Sequence, residues 1–194
     1  MTEKYMEIED LLITIAKILN KLEIPYIITG GMAVSAWGRP RTTLDIDIVV
    51  ALLPKNIHLL VKELLKVDKD VYVSEEAIRE ALKHKGEFNF IDPNSQLKVD
   101  FWIVKDTFNE QAIKRGKTRE VDGYKIVFTS PEDLILSKLL WYQESGSTRQ
   151  LEDIEGVLSV SRVDVSYVKK WAVKQGTREI LEKLIEKVKE NRKK

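Results

Sequence analysis

Three aspartates carry the chemistry that is legible in this sequence. Asp45 and Asp47 stand in the run LDIDIVV. On a strand, residues two apart point to one face, so these carboxylates lie side by side while Leu44, Ile46, Ile48 and Val50 take the other face. Asp100 stands in LKVDFWI, where Leu97, Val99, Phe101 and Ile103 alternate with Lys98, Asp100 and Trp102. If the two strands pair, three anions converge. At ~6 Å and an effective dielectric of about 20, each pair repels by roughly 3 kcal/mol. A divalent cation removes that cost, and a site of hard oxygen ligands favours Mg²⁺ or Mn²⁺. Paired aspartates on one strand with a third nearby form a layout for one or two metals in phosphoryl or nucleotidyl transfer. The plainer reading of the pair alone is two exposed acids on a half-solvated strand.

What precedes the pair adds to it. Gly30–Gly31 ends the short β-branched run IPYIIT and opens a helix over Met32–Trp37. Two glycines permit a tight turn and let backbone N–H groups approach a ligand, and a helix N-terminus favours phosphate. The same residues would also serve as an ordinary strand-to-helix turn. Neither the G-x-x-x-x-G-K-[ST] loop nor the G-x-G-x-x-G fingerprint is present. Arg39 and Arg41 lie between the glycines and the acids, placed either to bridge to phosphates or to form surface ion pairs.

The elements that must position these groups follow from periodicity and punctuation. Helical spacing of Leu11, Leu12, Ile15, Ile18, Leu19 and Leu22 predicts a helix over Met6–Leu22. Strands are expected over Ile24–Thr29 and Leu44–Leu52, a helix over Lys55–Lys66, a short edge strand at Val71–Val73, and a helix over Glu75–Lys85 capped by Ser74. Glu87–Ile91 and Gln96–Val104 flank an Asp-Pro-Asn-Ser turn and read as a hairpin. Thr107 and Glu110 have capping-box spacing for a helix to Lys114, and a second hairpin turns at Asp122–Gly123. Ser130-Pro131-Glu132-Asp133 starts a helix running to Tyr142. Helical stripes follow over Gln150–Val160, Val165–Lys174 and Thr177–Lys189, and the Lys-rich end KENRKK should fray. The order is α+β: a mixed β-sheet flanked by helices, then a helical C-terminal portion.

Composition bounds the function. The chain has 194 residues, 43% of them hydrophobic, enough for a real core. Lys plus Arg is 32 and Asp plus Glu is 31, so a strongly basic nucleic-acid binder is not indicated. With no cysteine, disulfides, thiolate zinc sites, iron–sulfur clusters and a Cys nucleophile are excluded. The two histidines, His58 and His84, read as surface residues and leave no basis for a histidine-rich metal site or a Ser-His-Asp triad. No apolar run approaches the ~20 residues of a membrane span, and the acidic, polar start is unlike a signal peptide, so a cytoplasmic protein is expected. Lys114, Arg115, Lys117 and Arg119 form the densest basic run, placed to touch an RNA acceptor or to line a solvated loop. Trp37 and Trp102 could stack on a base, although core packing is the commoner fate.

The stretch ITGGMAVSAWGRPRTTLDIDIVV resembles the signature of the polymerase-beta-like nucleotidyltransferase superfamily. Its G-R-P-R-x-T-x-D-I-D wording is similar to a branch related to the abortive-infection type nucleotidyltransferase toxins. The resemblance covers roughly residues 24–160. It implies that Gly30 and Gly31 hold a triphosphate, that Asp45, Asp47 and Asp100 bind Mg²⁺ or Mn²⁺, and that Asp100 acts as base toward an acceptor hydroxyl. Many members have Ser where Gly31 stands; here only backbone N–H groups remain for that contact. The segment SPEDLILSKLLWYQESGSTRQLEDIEGVL resembles the toxin-branch stretch that completes the nucleotide site, which adds Lys138 and Asp153 to Arg41 as nucleotide-binding residues. Lys138 falls inside an apolar stripe, where an ammonium needs an anion or must reach solvent. Asp153 stands in a helix's first turn, where the dipole favours an acid in any case. The expected organisation is a nucleotidyltransferase core over residues 1–129 and a helical portion over 130–194 that completes the nucleotide cleft. The implied reaction moves an NMP from an NTP to an acceptor hydroxyl on a tRNA end, a protein or a small molecule. A non-catalytic nucleotide- or metal-binding module acting as a regulatory partner is the rival reading, and an interaction protein working through its C-terminal helices a third.

Overall fold

The structure is a computed structural model that describes residues 7–192. Met6, expected to begin the first helix, and Lys193 and Lys194 of the terminal run lie outside the described residues. The chain divides into two compact units. The first takes the described residues up to Met32 together with Thr42–Phe128; the second takes Ala33–Arg41 and the residues from Thr129 onward.

The first unit is built on a six-stranded mixed sheet in the order β3-β4-β2-β1-β6-β5, with β1 at Tyr26–Ile28, β2 at Asp45–Val50, β3 at Glu87–Asp92, β4 at Leu97–Ile103, β5 at Lys117–Val121 and β6 at Tyr124–Phe128. β2 pairs with β4 and β1 with β6 in parallel; the remaining neighbours are antiparallel. The α+β class expected from the element order is the one observed. Apolar alternation fixes the register, because a one-residue slip would turn Ile46, Ile48 and Val50 out of the core and bring Asp45 and Asp47 in. Phe101 of β4 is fully buried and stacks on Phe88 of β3 with ring centroids 4.7 Å apart. Helix α1 (Ile8–Lys21) buries Leu11, Leu12, Ile15 and Leu19 completely.

Several local expectations are corrected by the structure. Leu44 is 73% exposed, because β2 begins one residue later and Leu44 never enters the pleat. Lys55 lies in a 3₁₀ turn over Pro54–Asn56, and helix α3 starts at Ile57 (Ile57–Leu64), since proline opens a turn before the regular helix. In place of an edge strand at Val71–Val73 there is a single bridge, Tyr72 to Ile91. Helix α4 (Glu75–His84) is capped by Ser74, whose hydroxyl accepts from the Ala77 N–H at 3.2 Å. Helix α5 (Thr107–Lys114) is capped by Asp106 and not by Thr107: the Asp106 carboxylate accepts from the Asn109 N–H at 2.8 Å, a stronger acceptor one residue earlier.

In the second unit, Ser130 caps helix α6 (Pro131–Ser145) and accepts from the Asp133 N–H at 3.1 Å. Helices α7 (Thr148–Val160), α8 (Val165–Gln175) and α9 (Arg178–Asn191) follow. Residues 33–41 group with these helices for identifiable reasons. The Trp37 indole donates to the Thr129 carbonyl at 2.8 Å, and Ser161 Oγ donates to the Trp37 carbonyl at 2.5 Å. Among the described residues no helix is long and apolar enough to cross a membrane.

An ion cluster ties α1 to α3. Glu63 accepts from Lys66 at 2.7 Å and from Lys21 at 3.0 Å. The two ammonium groups, Lys66 above all, hold its carboxyl at about 2 against an ordinary 4.5. A carboxyl depressed in the folded state stabilises the fold above its unfolded pKa, and that contribution vanishes as pH falls through the folded value. Glu63→Gln should therefore lower stability near neutral pH and cost nothing by pH of about 2. Urea melts of both proteins across that window check this by the convergence of their midpoints.

Candidate functional site

The site starts where β1 ends. The Thr29 N–H donates to the Asp47 carbonyl at 2.9 Å, which fixes the chain beside β2 just before the glycines. Gly30 then adopts φ +58°, in the left-handed region that glycine enters without penalty. A β-carbon at this position would collide with the Asp47 carboxylate. Gly30 is thus required twice, by its backbone angle and by the space Asp47 occupies. Helix α2 (Gly30–Trp37) begins at this residue, with Gly31 buried in its first turn. Its opening N–H groups are the kind that receive phosphate.

Register assembles the acids. Along the parallel β2–β4 pair, Asp47 sits opposite Asp100 and Asp45 opposite Lys98. On the other side of β4, Asn89 of β3 sits opposite Asp100. Cross-strand partners share a face, so one row runs Asn89–Asp100–Asp47 and the next carries Lys98–Asp45. Asp45 and Asp47 are half-buried, and Asp100 is buried.

The protein supplies its own partners to these carboxylates. Lys98 Nζ stands 2.8 Å from Asp100 Oδ2, and the Asn89 amide donates to Asp100 Oδ1 at close range. The Thr43 hydroxyl donates to Asp45 Oδ1 at 2.5 Å. The carboxylates act back on Lys98: its ammonium titrates above the usual lysine range, chiefly through its hydrogen bond to Asp100, with Asp45 and Glu87 adding attraction. Among the described residues no three His, Asp or Glu side chains stand close enough together to hold a metal ion, in keeping with Asp100 being engaged by Lys98 and Asn89. Asp45 and Asp47 present oxygen donors alone, half-exposed on one face beside a backbone bend with no side chain. That donor chemistry fits a hard divalent cation.

A second cluster lies in the second unit. Asp153 of α7 is 5% exposed and takes two cations. Arg41 grips it as a fork, Nε to Oδ1 at 3.0 Å and Nη2 to Oδ2 at 3.2 Å. Lys138 of α6, also buried, reaches Oδ2 at 2.8 Å. The anion that a buried Lys138 requires is therefore an aspartate of the chain itself. The Ser35 hydroxyl donates to the Arg41 carbonyl at 3.2 Å and helps hold that arginine in place.

Of the residues singled out from sequence, Gly30, Gly31, Asp45, Asp47 and Asp100 gather in the first unit, and Arg41, Lys138 and Asp153 in the second. Thr43, Asn89 and Lys98 were not singled out. The signal for two of them was present: Lys98 is two residues from Asp100 in the same alternation, and the hairpin register brings Asn89 to Asp100. His58 and His84 are exposed and pair with Glu75 at 3.4 Å and Glu80 at 3.2 Å. The basic run lies at the end of α5 and on the exposed strand β5, not in a loop, because the hairpin extends back to Lys117.

The family model described as "Nucleotidyltransferase of unknown function (DUF6036)" matches residues 3–191. The chain belongs to this family. Solved structures show the same nucleotidyltransferase fold. An antigenic nucleotidyltransferase-like protein from Paracoccidioides brasiliensis is 20% identical with a TM-score of 0.55, over 92% of this chain and 91% of that one. The structure of ANT(2″)-Ia in complex with adenylyl-2″-tobramycin is 16% identical with a TM-score of 0.58, over 88% and 98%. The lincomycin-bound lincosamide antibiotic adenylyltransferase LnuA is 13% identical with a TM-score of 0.53, over 82% and 100%. A search of curated proteins finds no match. As a nucleotidyltransferase by family, the chain carries its paired aspartates on a strand beside a glycine bend.

Two outcomes test the geometry. Gly30→Ala should lose more than about 1 kcal/mol, since the angle is strained for alanine and the new methyl displaces Asp47; urea melts measure it. Asp153→Asn removes the charge that neutralises two cations, one of them buried, and should cost about 3–5 kcal/mol. A loss under about 1 kcal/mol in the same melts would show that Lys138 and Arg41 find solvent or another anion.

Proposed function

We propose that this nucleotidyltransferase moves an NMP from an NTP to an acceptor hydroxyl, with Mg²⁺ or Mn²⁺ held by Asp45 and Asp47. The bond formed joins the acceptor oxygen to the α-phosphorus. The bond broken joins that phosphorus to the bridging oxygen of the β-phosphate, and pyrophosphate leaves with the electron pair. A bound divalent cation would neutralise phosphate charge and polarise the α-phosphate. The chain's own residues do the rest. Gly30 and Gly31 offer backbone N–H groups to the triphosphate, and Asp100 orients the acceptor hydroxyl and takes its proton. Arg41 and Lys138, set by Asp153, are proposed as nucleotide-binding residues. Most of the rate enhancement is then positioning and charge neutralisation.

The observation that supports this best is the row of Asp47 and Asp100 at one register position, with Gly30 against Asp47 and Asp45 on the same face. The kinship with abortive-infection type toxins, and a role of that kind with a partner protein, belong to the same proposal and rest on the SKLLWY and LEDIEG stretches. So does a cytoplasmic setting. Among acceptors, the fold's occurrence in a structure with adenylyl-2″-tobramycin and in a lincomycin-bound adenylyltransferase favours a small-molecule hydroxyl. A net charge of +1 weighs against a long RNA, while a tRNA end or a protein side chain stays open to the same test.

A second reading has one observation on its side: Asp100 is already engaged by Lys98 and Asn89. On that reading the chain binds nucleotide without turnover and regulates a partner. Incubation with Mg²⁺ and labelled NTPs separates the two. Pyrophosphate release or labelled product, abolished by Asp47→Asn, is the expected result. A melting temperature raised by NTP only with Mg²⁺, and no product, selects the binding module.

A further inference from the structure

Past the carboxylates, the face that carries them continues into an apolar edge. Tyr72 and Ile91 exchange both backbone N–H···O bonds, at 2.8 and 3.0 Å, so their side chains leave the sheet on one face. Ile91 stands opposite Lys98 on β4, and Lys98 opposite Asp45 on β2. One cross-strand row therefore runs Tyr72–Ile91–Lys98–Asp45, next to the row Asn89–Asp100–Asp47. Val71 and Phe90, which alternate with this pair, are buried on the opposite face, whereas Tyr72 is 58% and Ile91 37% exposed. Lys98 sends its ammonium along β4 to Asp100, 2.8 Å from Oδ2. An aromatic ring and a branched alkyl group are thus left open side by side at the edge of the acid face.

We propose that Tyr72 and Ile91 form a platform for the acceptor, and that the acceptor is a small hydroxyl compound with a flat, uncharged ring. This rests on the nucleotidyl-transfer reading above and names the class of its second substrate. Sheet order decides between nucleotide and acceptor. The glycine bend follows β1 and meets Asp47 from one side, while Ile91 and Tyr72 lie beyond β4 on the other. A triphosphate at Gly30 and Gly31 leaves the Asp100 side to the acceptor. Neighbouring strands stand about 4.8 Å apart and alternate residues about 7 Å along a strand, which puts Ile91 roughly 8 Å and Tyr72 roughly 12 Å from Asp100. A ring resting on the pair therefore brings a hydroxyl to Asp100 only across a body of about 10 Å. Tyr72 supplies a face for stacking and Ile91 an alkyl floor, and neither carries charge. The Lys98 ammonium between them and Asp45 disfavours a cationic body. Both are specificity-determining residues: they hold the acceptor's body and touch no reacting atom.

The test uses the full chain and two probe alcohols: 4-biphenylmethanol, which is long enough to span the platform and Asp100, and glycerol, which is not. Saturation-transfer NMR reads binding of each probe. Mg²⁺ with labelled ATP reads transfer of AMP to the probe's hydroxyl oxygen, with pyrophosphate leaving. The expected result is that wild type and Tyr72→Phe bind and label 4-biphenylmethanol with the same KM. Tyr72→Ser and Ile91→Ser should raise that KM about fivefold at unchanged kcat and leave the melting temperature and the weak labelling of glycerol as they were. Where product forms, one KM for all four proteins, glycerol labelled as well as the biphenyl alcohol, or no ring binding to wild type would overturn the platform and leave nucleotidyl transfer standing. No labelled product from either probe would overturn the nucleotidyl-transfer reading, and the acceptor role with it.

Discussion

The fold of the first unit is organised around a crowding of negative charge that it must tolerate. Parallel pairing of β2 with β4 is fixed by the apolar residues Ile46, Ile48, Val50, Val99, Phe101 and Ile103, all buried on one side. The same register then has no freedom over the opposite face: Asp47 meets Asp100, and Asp45 follows at the next position. Burial sets the geometry, and the acids inherit it. Separating them would mean slipping a strand and exposing the core, which costs far more than the roughly 3 kcal/mol of each repulsion.

What makes the crowding tolerable is a set of neighbours of modest individual strength. Thr43 donates to Asp45, Asn89 to Asp100, and Lys98 brings a full positive charge to Asp100. None of these is a large stabiliser alone, yet together they set donors against the acids while the strand register is kept. Gly30 completes the arrangement from below by leaving the volume that Asp47 fills. The dependence runs one way: strands first, carboxylates second, donors and glycine third.

That order explains what could be read from the sequence. Alternation in LDIDIVV and LKVDFWI is a local signal, so the shared face of Asp45 and Asp47 was visible, and so was the side on which Asp100 stands. The glycine bend, the hairpins and the Ser74 and Ser130 caps are local too. Leu44 was misplaced because alternation does not say where a strand begins. Asp106 was passed over because a capping box at Thr107 competes with a better acceptor one residue earlier. The donors around the acids depend on which strands become neighbours, and Asn89 reaches Asp100 only through the β3–β4 register. Arg41 on Asp153 joins residues 112 apart, and nothing in spacing or periodicity encodes such a contact.

The two cation–carboxylate clusters differ in how firmly their charges are held. Asp153 is buried, forked by a planar guanidinium and bonded to a buried ammonium. Releasing it would strand charge in a low-dielectric setting, and the cluster therefore behaves as a rigid unit. Lys98, by contrast, meets Asp100 from a flexible stem that is half in solvent. Its ammonium can be rehydrated at small cost, and Asp45 and Asp47 on the same face are half-exposed. A group that must exchange partners during a reaction cycle needs that low cost of release. A group that must hold a helix pair in place needs the opposite. Exposure and donor geometry, more than residue type, set how readily each charged group of these clusters can change partners.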